Sequence, residues 1–174
     1  MWLFSWDFLI MPCDKNPIII IFYFFRNLKV AKRQFSFFIN GEHLSKLGKP
    51  RTAKGLAVLC ARIAEDKIAT DIVLMDLTNI ESAPTDFFVI CTCETDIQAK
   101  SLVDKLMRKC KELGVQRPNV EGTETYNWAL VDFFDVVLHV MQPEARWYYR
   151  LEKLWGDAKF MELNEEGKPV ILKK

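Results

Sequence analysis

What this chain is short of narrows its function before any motif is considered. Histidine occurs only at His43 and His139, and of the five cysteines only Cys91 and Cys93 stand near each other. A zinc centre takes about four ligands in paired spacing, so no metal site is expected. The cysteines (Cys13, Cys60, Cys91, Cys93, Cys110) form an odd set without a disulfide framework. Those inside apolar periodic stretches are expected to be small, reduced core residues. Glycine is sparse as well, seven in 174 residues, and no internal repeat is visible.

Long uncharged apolar runs are also missing. The opening MWLFSWDFLIMPCDKNPIIIIFYFFRN is dense in Phe, Ile and Trp, but Asp7, Asp14 and Lys15 interrupt it. Its longest uncharged run is too short for a bilayer. No basic lead-in or small-residue cleavage site marks it for secretion. Residues 1–50 are therefore expected to be an extension, either poorly ordered or lying ahead of the true start, and the protein is expected to be cytoplasmic without membrane contact.

A basic stripe is the third absence. Of 24 Lys and Arg, seven fall in residues 1–50 against three acidic residues, which leaves seventeen in residues 51–174 to face twenty Asp and Glu. A slightly acidic domain does not gain its affinity by neutralising phosphates, so direct sequence-specific nucleic-acid binding is not expected and a protein partner is.

What is present is an apolar half, enough for a sizeable core, arranged in alternating periods. After Gly48 and Pro50, Leu56, Leu59, Cys60 and Ile63 recur at helical spacing. DIVLMDL (71–77) is a branched run suited to a strand buried on both faces, mid-sheet, and DFFVICTC (86–93) reads as a second strand beyond a polar loop. Thr95 and Gln98 form a capping box before a helix bearing Ala99, Leu102, Val103, Leu106, Met107, Cys110 and Leu113, stopped by Gly114. Residues 115–126 are loop with one short strand. NWALVDFFDVVLHVMQ predicts a hairpin turning at Phe133 and Phe134. Pro143 opens a third helix whose inner face is Ala145, Tyr148, Leu151 and Trp155, ended by Gly156. The tail, with Gly167 and Pro169, predicts a small hairpin. This order describes a mixed α/β (α+β) domain, a mixed β-sheet with helices packed on it.

Three groups of residues invite a chemical role. Glu94 and Asp96 stand one residue apart just after a strand, as a magnesium-binding pair would, but Cys91, Thr92 and Cys93 replace the glycine-rich turn that such nucleotidyl transfer needs. First-turn carboxylates complementing a helix dipole are the simpler reading. His139 lacks a neighbouring nucleophile or orienting carboxylate in the sequence, so general-base work is not expected. In the hairpin, Ala129, Val131, Val136, Leu138 and Val140 share an apolar face. Trp128, Leu130 and Asp132 share the other with Asp135, Val137 and His139. A turn at Phe133–Phe134 places Trp128 directly across from His139. Tryptophan ringed by polar groups has the composition of an interface anchor.

This hairpin and the residues after it, EGTETYNWALVDFFDVVLHVMQPEARWYYRLEKLWGDAK, resemble the Iojap or ribosomal silencing factor (RsfS) family in their EG, W, VD, V-HV, PE-R-Y and LWGDA elements. Upstream, DIVLMDL, TDFFVICT and TDIQAKSLVDKL align as well. The likeness spans residues 51–160, leaving 1–50 as an extension and 161–174 as a tail. It implies a nucleotidyltransferase-like topology without the catalytic motif, hence no catalytic residue and no cofactor. It also implies binding to ribosomal protein fourteen of the large subunit, hindering subunit joining and repressing translation under nutrient limitation. Trp128 matches the family's interface tryptophan, with Leu130, Asp132, Phe133 and Phe134 continuing the strand and turn, and pairing extends the patch to His139. Many members carry glycine where this chain has Phe134. Monomer and homodimer both remain open.

Overall fold

The computed structural model describes residues 48–172. The expectations placed on the extension before Gly48, including Cys13 and His43, lie outside the described residues.

Helix α1 (Ala53–Asp66) begins where Thr52 turns its hydroxyl back to accept the Gly55 N–H at 3.0 Å, and it buries Ala57, Leu59, Cys60, Ile63 and Ala64. Strand β1 (Thr70–Asp76) comes next, then β2 (Phe87–Thr92), every residue of which is buried. Helix α2 (Asp96–Leu113) carries the predicted cap. Thr95 Oγ1 accepts from Gln98 N, while the Gln98 side chain accepts from the Glu94 N–H and donates to the carbonyls of Lys67 and Ile68. Gln98 thus binds the start of α2 to the chain leaving α1. Lys105 and Asp66 form an ion pair between the same two helices. At its other end Gly114 (φ 64°) and the Val115 N–H bond to Cys110 O close α2 in a left-handed cap.

The remaining elements are β3 (Asn119–Glu121), β4 (Trp128–Asp132), β5 (Val136–Met141), α3 (Pro143–Tyr149), α4 (Leu151–Leu154), β6 (Lys159–Leu163) and β7 (Pro169–Ile171). They join one seven-stranded mixed sheet in the order β3-β4-β5-β2-β1-β6-β7, in which β2 and β5 run parallel. β6 pairs with β1, so the predicted tail hairpin is the far margin of the main sheet.

Each face of this sheet has its own core. Leu74, Val89, Cys91, Val131, Leu138 and Val140 meet α1 and α2 on one side. Met75, Phe88, Ile90 and Met141 meet Ala145 and Leu151 of α3 and α4 on the other. The apolar face expected of the hairpin is the one that lies under the longer helices.

Two local expectations are overturned. The single helix predicted from Pro143 to Trp155 is broken at Arg150, whose φ of 46° is left-handed, and the break rotates the residues beyond it. Ala145 and Leu151 stay inside and Trp155 is half-buried, but Tyr148 points to solvent, 73% exposed. The hairpin turn is also displaced, with Trp128 opposite Met141, Leu130 opposite His139 and Asp132 opposite Val137. The central residues are thus Phe134 and Asp135, and of these only Phe134 has positive φ, 75°, the φ pattern of a II′ turn. This is the position where a II′ turn favours glycine. Here the Phe134 N–H donates to Asp132 Oδ1 at 2.7 Å and the Thr85 hydroxyl donates to Phe134 O at 2.8 Å, which holds the left-handed residue in place. Because the register has moved by two residues, every side chain keeps its face.

Candidate functional site

Among the described residues, the sheet face opposite α1 and α2 is only partly covered, because α3 and α4 are short and pack on β1, β2 and β5. Where their cover ends, a row of rings runs from core to solvent. Trp155 lies 5.8 Å from Phe88, Phe88 stands edge-on to His139 at 4.6 Å, and His139 lies 5.8 Å from Trp128. Trp128 meets Tyr149 at 4.5 Å, and Tyr149 meets Tyr148 at 5.0 Å. Phe88 and His139 are buried, Trp155 and Trp128 on either side of them are half-buried, and Tyr149 and Tyr148 are 49% and 73% exposed. Trp147 extends the patch at 70% exposure, with the Arg150 guanidinium 5.0 Å from its ring.

Backbone and side-chain constraints fix this geometry. The Trp128 Nε1–H donates to His139 Nδ1 at 3.3 Å, a diagonal contact where direct opposition was predicted. Gly122 (φ 72°) must be glycine, since a Cβ there would stand 2.0 Å from the Trp128 carbonyl oxygen. Arg146 anchors α3. Its guanidinium donates to Asp71 O (2.6 Å) and Thr92 Oγ1 (2.8 Å) on β1 and β2, and pairs with Glu152 of α4. Tyr149 is thereby carried on a helix bolted to the strands beneath it.

The residues singled out from sequence do not all share one surface. Trp128, Leu130 and Asp132 line one sheet face from α3 toward the hairpin tip, with Leu130 half-buried and Asp132 exposed. Phe134 projects from the tip, 87% exposed. His139 lies on this face but is 5% exposed, and burial lowers its pKa to about 4. Phe133 packs against the other core, beneath α1 and α2. Tyr149 and its neighbours were missed, although a signal existed. Helical residues step by about 100°, so Trp147, Tyr148 and Tyr149 in succession cannot all face inward.

Glu94 and Asp96 are exposed at the start of α2, with Asp96 in its first turn. Among the described residues no three His, Cys, Asp or Glu side chains are grouped to hold a metal ion. Burial raises the pKa of the Cys60 thiol and brings that of Cys110 to about 11, which suits inert core residues. No described helix is long and apolar enough to cross a membrane.

Among the described residues, the chain is a mixed α/β domain with aromatic rings bordering one face of its sheet. Comparison with known proteins places it more closely: the family model described as "Ribosomal silencing factor during starvation" matches residues 50–173, and the chain belongs to that family. It is similar to ribosomal silencing factor RsfS of Bacillus subtilis, 38% identical over 111 residues, covering 64% of this chain and 93% of that protein. It is also similar to mouse mitochondrial assembly of ribosomal large subunit protein 1, 36% identical over 74 residues, covering 41% and 32% of the two chains. A crystal structure from Chromobacterium violaceum superposes with a TM-score of 0.57 at 35% identity, covering 60% of this chain and 87% of that one.

Proposed function

We propose that this protein silences by occlusion: its uncovered sheet face docks on ribosomal protein fourteen of the large subunit and occupies space that the small subunit requires. The supporting observation is the half-buried indole of Trp128 packed at a tilt against exposed Tyr149, on the sheet face that also carries Leu130 and Asp132. Phe133 and His139 support that surface from behind. Aromatic anchors ringed by polar groups carry most of the energy at protein interfaces. Membership of the silencing family supports a ribosomal partner, and the mouse relative, named for large-subunit assembly, favours that subunit. The action needs no covalent step or cofactor, only about 800 Å² of contact per partner. It takes place in the cytoplasm and lowers translation when nutrients run short.

Light scattering of purified subunits tests this. Adding the protein should slow association of large with small subunits, and prior incubation with the large subunit should strengthen the effect. Unchanged association at saturating protein would sink the proposal.

A further inference from the structure

His139 is the polar ring of the aromatic row, buried between Phe88 and Trp128, and its hydrogen bonding is asymmetric. Indole Nε1–H can only donate, so the 3.3 Å contact from Trp128 requires a lone pair on His139 Nδ1. The neutral ring must then carry its proton on Nε2, and that atom is buried without a partner. An orphaned buried donor is unfavourable, and such groups are rare in folded proteins. Phe88 and Trp128 wall the ring in, and its direct cross-strand neighbours Leu130 and Ile90 offer no charge.

We propose that His139 is a positioning residue for the docking face: as the Nε2–H tautomer it holds the Trp128 indole in the orientation that packs against Tyr149, and it does not itself touch the partner. This rests on the docking role proposed for Trp128. At 5% exposure the imidazole is out of a partner's reach, whereas the ring it holds is not. Pinning one edge of the indole removes a rotamer search that docking would otherwise have to complete, so affinity is gained without a new contact. The bond reaches only Nδ1, so an asparagine, whose Oδ1 occupies a similar place, should substitute for it, while leucine should not.

The test pairs nitrogen-15 NMR of the free protein with co-sedimentation on purified large subunits. In the wild type, His139 Nδ1 should appear as an unprotonated acceptor and Nε2 as protonated at neutral pH. The Trp128 indole N–H, identified by its loss in Trp128→Phe, should exchange slowly. His139→Leu should shift that resonance, speed its exchange and weaken co-sedimentation about tenfold, a change equivalent to one step in the affinity scale. His139→Asn should restore both. A protonated Nδ1 in the wild type overturns the proposal without any variant, so a poorly folded leucine variant cannot shield it. A displaced indole signal with wild-type co-sedimentation overturns the positioning role alone. Trp128→Ala that co-sediments like wild type overturns the docking role and this proposal with it.

Discussion

The two faces of the central sheet are made by the same strands and have opposite characters. On one, Val131, Leu138 and Val140 alternate into a dry layer beneath α1 and α2. On the other, Trp128, Leu130, Asp132 and His139 lie beside and beyond short helices that leave an aromatic border in solvent. The first face is apolar throughout, whereas the second mixes rings with polar groups and spreads its burial unevenly, the pattern that the proposed docking role calls for. Substitutions should therefore separate cleanly between them.

The largest effect is expected on the sealed face. Leu138→Ala should destabilise the fold by about 2–5 kcal/mol in a denaturant titration, as other buried leucine truncations do. Large-subunit affinity per folded molecule should stay unchanged, and a large loss of it would break the division between faces.

His139 gives the next effect. With its folded pKa near 4 and an unfolded value near 6.5, the unfolded chain binds the proton that the fold refuses. Stability should be full above pH 6.5 and fall by about 3 kcal/mol as pH drops toward 4. Chemical denaturation at stepped pH should show this slope in the wild type and a shallower one in His139→Leu.

On the open face, Trp128→Ala should weaken ribosome binding by about 2 kcal/mol or more in a sedimentation isotherm while changing the unfolding midpoint less than Leu138→Ala does. The smallest effect should come from the hairpin tip. Phe134→Gly relieves a left-handed backbone and should raise stability by about 1 kcal/mol in thermal or denaturant unfolding. If Phe134 contributes to docking, the same change should weaken binding, so its two readouts should move in opposite directions.

Much of this was legible in the chain because periodicity records burial. The run from Ala99 to Leu113 with Thr95 and Gln98 ahead of it specified α2, and the alternation from Trp128 to Val140 assigned the β4 and β5 residues to their faces, while Asp135 fell in the turn and Phe133 on the other core. The features that escaped are single-residue events. A left-handed Arg150 splits α3 from α4 with no glycine to announce it, and Tyr148, on the α3 side of that break, faces solvent. A left-handed Phe134 likewise moved the turn by one position and the pairing by two, against the preference of a bulky side chain. The face assignment survived because strands repeat every two residues. The candidate site was half visible: Trp128 stood out, but its partnership with Tyr149 depends on how α3 lies over the sheet, which Arg146 determines through bonds to residues far away in sequence.

The lateral strands of the sheet have a separate consequence. β3 and β7 are three residues each, and β7 starts at Pro169, which has no amide hydrogen to offer. A protein that displays bare aromatic rings must avoid zipping onto its own copies, and such abbreviated margins give a second molecule little backbone to template against.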